Sequence, residues 1–297
     1  MTKLGAFLLK KLNFMKLAFI FLVGASLLFS CKSTPDIAAV DPFDLLDGDA
    51  ALYLSVPVQA NQDFVVSAIQ KISGTTEADA KKIAERLDMA FVAVGTNGEV
   101  QLSASGKIPQ SFLGMALNEK KGWKPGLVSQ QTVYTHQKSL YQLCLPSSSN
   151  AFLSHNIEPM VSRFNKIAYS EAENTSVILS EAMDEGMYKL LHNNSSADIV
   201  MYSPAPKYFM KPMLGSTPLK IELDSFVAIL SQYRGVKEQF NIRFVINLSD
   251  SRKVKATVAL LKTLLFGVPA KIVQTGEKQI TITDLPVSKE RILSVIR

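Results

Sequence analysis

The stretch Leu17-Ala-Phe-Ile-Phe-Leu-Val-Gly-Ala-Ser-Leu-Leu-Phe-Ser-Cys31 decides where the rest of the chain folds. It is uncharged and apolar, and it ends in a small residue and a cysteine. Lys3, Lys10, Lys11 and Lys16 precede or open it, and no acid appears before Asp36. A basic flank, a short apolar core and a small residue before a cut read as an export signal. The core from Leu17 to Phe29 has 13 residues, whereas a spanning helix needs roughly 20. Met15-Lys16 opens a complete signal by itself, so Met1 and Met15 are both possible starts. Residues 1–30 are thus assigned to a leader, cut between Ser30 and Cys31.

Leu28-Phe29-Ser30-Cys31 resembles the lipobox of bacterial lipoproteins, with a leucine three before the cysteine and a small residue between. The resemblance implies a diacylglycerol on the Cys31 sulfur, cleavage before Cys31 and acylation of the new amine by a chain such as palmitate. Phe29 departs from the strict pattern, which has Ala or Ser there, and such relaxed lipoboxes look like those of spirochaetes. The resemblance covers the leader and Cys31 only; no family resemblance covers the body. The competing reading is a plain secretory signal or an uncleaved anchor, with Cys31 incidental. Each buried CH₂ contributes about 0.8 kcal/mol and one chain anchors marginally, so two or three chains would hold the body on a membrane. Lys32 follows the cysteine, and the choice between inner and outer membrane stays open.

Loss of the leader leaves 267 residues, enough for a substantial core. Four of the 32 basic residues lie in the leader, leaving 28 against 26 acidic ones, a net of +2. That is no electrostatic footprint for nucleic acid. Cys31 and Cys144 are the two cysteines. With Cys31 acylated no intramolecular disulfide forms, and an exported body of this size must hold together by apolar burial. Cys144, in Leu140-Tyr-Gln-Leu-Cys-Leu145, reads as a small buried residue of a strand.

Residues 31–40 read as a polar tether. Ala50 to Val56 is a strand stopped by Pro57, Phe64 to Ile72 a helix capped by Asp63, and Ala78 to Leu87 a helix begun by Thr76-Glu-Ala-Asp79. Met89 to Val94 and Val100 to Ser105 flank the tight turn Thr96-Asn-Gly98. Pro109 to Leu117 is a helix, Val133 to Leu145 a hairpin, and Pro159 starts a helix over Glu158 to Ala168. Val177 to His192 reads as one amphipathic helix. Phe240 to Leu248 is a strand, Lys253 to Leu265 a strand passing into a helix or a helix throughout, and Ser288 to Ile296 a closing helix.

Three matches keep their order along the chain: Ala51–Pro57 with Asp198–Pro204, Phe91–Val94 with Phe226–Ile229, and Val133–Pro146 with Val273–Pro286. They predict an α+β fold of two related halves, each an antiparallel sheet packed against helices. The halves span 41–170 and 196–297, with a connecting helix over 171–195. The groove between them is the expected ligand site.

No catalytic, cofactor or metal motif stands out. His136, His155 and His192 lack metal-ligand spacing and read as surface residues, His192 at a helix end. Ser154-His155 is a dipeptide, not a triad, and no Gly-x-Ser-x-Gly elbow appears in the body. Gly95, Gly98 and Gly106 read as hairpin glycines, and Asp184, Glu185, Glu171 and Glu173 as solvated charges. The sequons at Asn174 and Asn194 mean nothing without glycosylation machinery. Trp123, and the Met- and aromatic-rich Tyr202–Leu214 stretch, read as packing plugs or as contact surfaces. The expectation is an envelope-anchored, non-enzymatic binding or assembly module. Its partners would be the membrane, through Cys31, and a protein or small apolar ligand. The alternative is an envelope hydrolase with scattered residues.

Overall fold

The computed structural model describes residues 38–294 apart from 110–116, 171–173, 195–196, 209–221, 234–235 and 237. The signal, Ser30, Cys31 and most of the tether lie outside these residues, as does the expected helix after Pro109 but for its ends. From Val40 onward the chain forms one compact unit.

Its frame is one antiparallel sheet. The strands are β1 (Leu52–Pro57), β2 (Leu87–Val94), β3 (Val100–Gly106), β4 (Trp123–Val128), β5 (Gln131–His136) and β6 (Gln142–Cys144), then β7 (Asn150–Ser154), β8 (Ile199–Ser203), β9 (Leu223–Gln232), β10 (Gln239–Leu248), β11 (Lys271–Gln274) and β12 (Gln279–Ser288). Their order across the sheet is β11-β12-β10-β9-β8-β1-β2-β3-β7-β6-β5-β4. Helices α1 (Gln62–Ser73) and α2 (Glu77–Ala84) join β1 to β2. Further on come α3 (Glu158–Tyr169), α4 (Leu179–Ala182), α5 (Glu185–His192), α6 (Val254–Leu264) and α7 (Lys289–Leu293).

The α+β class is as expected, and one sheet runs through both sequence halves. β1 pairs with β8, so strands from both sequence halves run on as one ladder. Two of the three sequence matches are out of register. β2 pairs Val94 with Leu52, and β9 pairs Leu230 with Ile199. If β1 and β8 correspond as matched, Phe91 corresponds to Val227, one residue from Phe226. A shift of one residue changes the face of a strand, and Phe91 and Phe226 do bury on opposite faces. In the third match Val133 pairs with Cys144, whereas Val273 pairs with Thr281 and not with Asp284. The second hairpin closes more tightly, so the shared letters do not sit at shared positions.

Alternation in β1 divides the core. Leu52, Leu54 and Val56 face α1, α2 and α7, whereas Tyr53 faces α3, α5 and the turn Pro42–Leu45. β1 and β2 are therefore buried on both faces, and they read as nearly continuous apolar runs. β9 and β10 alternate buried with less buried residues, which marks one covered face. Their covered side continues the first core, and Ile246, Leu248 and Ile280 form a third cluster with Val254 and Leu261 of α6.

Local chemistry explains the element ends. The Thr76 hydroxyl accepts from the Asp79 amide at 3.2 Å and starts α2. Gly74, at φ +65°, ends α1 and turns the chain into α2. The single helix expected over Val177–His192 is two helices. Met183 is extended, and the Asp184 carboxylate accepts from the amides of Gly186 and Met187, so Asp184 caps α5 instead of lying on a continuous helix face. Lys253–Leu265 is helical, as α6.

The segment entering the body is tightly held. Phe43, Leu45 and Leu46 are fully buried. Arg163 of α3 donates to the Leu45 carbonyl at 2.8 Å, to the Val177 carbonyl at 3.0 Å and to the Asp47 carboxylate. Asp47 also accepts from Gln101 Nε2 at 2.6 Å, and its carbonyl accepts from the Tyr53 hydroxyl at 2.7 Å. Burial pushes the Tyr53 phenol far above its ordinary range. The segment from Phe43 to Asp47 is thereby fixed to the sheet face opposite α1 and α2.

Candidate functional site

A cavity of about 660 Å³ lies between α1, α2 and the sheet. Its roof is the inner stripe of α1, Phe64, Val65, Ala68, Ile69 and Ile72, at the spacing an amphipathic helix requires. Its walls include Leu54, Val56, Leu102 and Leu153. Its floor is set by register: Ala90 pairs with Ala104, and Ala104 with Ala151. Three alanines thus form one row across β2, β3 and β7, and all three line the space. Methyl groups where the next row on this face carries Val92, Leu102 and Leu153 leave the floor low, so helix and sheet cannot close on each other there.

The mouth is polar. Asp79, Lys82 and Arg86 recur at helical spacing along α2 and just past its end, and Lys121 meets them from the turn Glu119–Lys121. Lys121 Nζ lies 3.0 Å from Asp79 Oδ2. The ammonium of Lys121 holds the Asp79 carboxyl below the usual carboxylate range. At the other side stand Trp123 and His136, paired across β4 and β5 with ring centres 5.0 Å apart. Gly122, at φ +84°, leaves space that a Cβ would take 3.2 Å from His136 Nε2.

The lining residues run from Leu54 to Leu153. The cavity therefore lies inside the first sequence half, not in a groove between halves. Trp123 opens an edge strand rather than a loop; Pro125 is tolerated there because an edge strand has no second neighbour for every N–H. Of the Tyr202–Leu214 stretch, Tyr202 lies in β8 and stacks on Tyr53 at 6.4 Å, and Lys207 sits 5.0 Å from the Tyr208 ring centre. Residues 209–214 are outside the described residues.

The remaining residues singled out from the sequence stay apart. Ser154 is buried, with its Oγ 3.4 Å from Glu99 Oε1. His155 stacks on Tyr141 at 3.8 Å, and its Nε2 faces the Ser139 carbonyl at 3.0 Å. His155 lies just past the end of β7, and its ring is engaged by Tyr141 and Ser139 while the Ser154 hydroxyl is turned to Glu99, so this dipeptide is no dyad. His136 Nδ1 meets Ser139 Oγ at 2.8 Å, and His192 pairs with the Asp41 carboxylate. Among the described residues no group of three His, Cys, Asp or Glu could hold a metal ion. Cys144 is fully buried, and burial pushes its thiol up to about 12.

Gly98, at φ +84°, serves the β2–β3 turn, and a Cβ on Gly106 would stand 2.1 Å from the Arg86 carbonyl oxygen. Glu185 pairs with Lys189; Glu171 and Glu173 are outside the described residues. Asn174 is tied to Ser162, and Asn194 donates to the Asp198 carbonyl. Among the described residues no helix is long and apolar enough to cross a membrane.

The α+β body that encloses this apolar cavity falls in a class of envelope protein. The chain belongs to the family of the outer membrane-associated lipoprotein TP0453, whose model matches residues 37–293. That match covers the body, where no resemblance could be drawn from the sequence, and it makes this chain an envelope lipoprotein. Crystal form I of TP0453 is similar in fold, with a TM-score of 0.66 and 21% identity over 87% of this chain and 97% of that one. Crystal form III gives 0.64 and 20% over 87% and 98%. No curated protein matches the chain in sequence.

Proposed function

We propose that this lipoprotein is a non-enzymatic binding module that holds an apolar, acyl-chain ligand in the cavity beneath α1 and α2. A diacylglycerol on Cys31, added as the leader is cut after Ser30, keeps it at the envelope with its body outside the cytoplasm. The observation that carries the reading is the row Ala90–Ala104–Ala151, which maintains a 660 Å³ apolar space. That volume falls in the range of ligand sites, roughly 300–1,000 Å³. Burying ten methylenes at about 0.8 kcal/mol each contributes about 8 kcal/mol, the scale of micromolar binding before the chain is ordered.

Trp123 lines the cavity and is the one tryptophan of the chain, so its fluorescence reports occupancy. Methyl dibromostearate, whose bromines quench indole on contact, should quench it saturably. Ala104→Phe and Ala151→Leu fill the floor, and each should abolish quenching while the circular dichroism spectrum is kept. Quenching that persists in both filled variants would place the ligand elsewhere.

A further inference from the structure

The cavity's charged lining is uneven. Among the described residues it comprises Lys82, Arg86 and Lys121 against Asp79, so three cations face one carboxylate, a net of +2. All four sit on or near α2 and the turn Glu119–Lys121, whereas the floor and roof are apolar. Lys82 and Arg86 stand one turn apart, and Lys121 reaches toward the same stripe from across the mouth, where it meets Asp79. An apolar chamber with a cationic rim on one side has the chemistry of an amphiphile site: the chain is held by area, and the head by charge. We propose that the mouth selects amphiphiles with an anionic head, a carboxylate or a phosphate, over neutral ones bearing the same chain. This rests on the cavity being an acyl-chain site.

Lys82 is exposed and Lys121 is about two-fifths exposed, with a side-chain value of 42%. The head would thus stay at the water boundary, where the site costs it little desolvation. Asp79 already holds Lys121 in place, so an arriving anion finds that ammonium positioned rather than mobile. Exposed charges are screened, so the preference should weaken in high salt.

The test uses the protein purified from membranes and freed of bound lipid, with Trp123 quenching read at pH 8. The probes are dibromostearate and its methyl ester, which share a chain and differ in charge. The acid should bind about tenfold more tightly, a difference of about 1.4 kcal/mol. In Lys82→Gln/Lys121→Gln the two affinities should fall within about twofold of each other, with the ester unchanged. Brominated lysophosphatidate and the matching monoacylglycerol form a second pair. Whichever anion is tighter, carboxylate or phosphate, identifies the source of the head. Equal binding of acid and ester to the unaltered protein would overturn the selection and leave the acyl-chain reading intact. So would a preference undiminished in the double variant. Absence of quenching by every probe would overturn both.

Discussion

Replacing Arg163 by methionine tests how the anchor segment is fastened to the body. The arginine side chain is 10% exposed and holds three acceptors. They do not count equally. Val177 is 58% exposed, so water can take over its carbonyl at almost no cost. Leu45 is fully buried, so its carbonyl is left unsatisfied, which costs about 1–3 kcal/mol. Asp47 loses its cation but keeps Gln101, and its side chain is 37% exposed, which places its loss near the low end, about 1 kcal/mol. The methionine chain replaces most of the apolar stem and avoids burying a guanidinium, which offsets part of the loss. The expected destabilisation is about 2 kcal/mol. Urea unfolding should show it as a lower midpoint at unchanged slope. Asp47→Asn should cost clearly less, and the two changes together should fall short of their sum. Amide exchange should speed up first at residues 43–47, the part nearest the tether. A loss below about 1 kcal/mol for Arg163→Met would refute the argument that the Leu45 carbonyl depends on it.

Four further outcomes follow from the same geometry. Gly106→Ala would drive a methyl into the Arg86 carbonyl; because backbone must shift, unfolding free energy should drop by more than about 2 kcal/mol, read by urea titration. Cys144 is buried and its thiol is pushed up to about 12, so at pH 8, well below that value, it should resist iodoacetamide in the native protein and react once urea unfolds it. Lys121→Gln should move the Asp79 carboxyl up toward the ordinary range, read by NMR titration, since the ammonium that favours its charged form is gone. Cys31→Ser should shift the protein from the detergent phase to the aqueous phase in a partition assay; retention in detergent would remove the lipid anchor from the account.

Much of the fold could be read from local chemistry. Thr76 with Asp79, Asn97-Gly98 and Pro159 each fix an element boundary through a cap, a turn or a ring, and none needs a distant partner. The stripe Phe64–Ile72 likewise announces a buried helix face. The floor of the cavity could not be read in this way. Ala90, Ala104 and Ala151 are ordinary alanines until strand register places them side by side, and β7 joins that row across a long excursion through β4, β5 and β6.

The helix break has a local signal, since Asp184 followed by Gly186 caps as readily as it continues. Arg163 also carried one: it sits beside Phe164 in the apolar stripe of α3, where a cation must find acceptors. The Phe91 and Phe226 match misled because identical letters one position apart on a strand face opposite ways.

What fills the space above the alanine row in the cell can be read directly. Native mass spectrometry of the protein taken directly from membranes addresses it. A noncovalently held, acyl-bearing mass should appear in addition to the covalent lipid of Cys31, and it should be lost in Ala104→Phe. Covalent lipid alone on the unaltered protein, or a bound mass equally present in the filled variant, would contradict the acyl-chain reading.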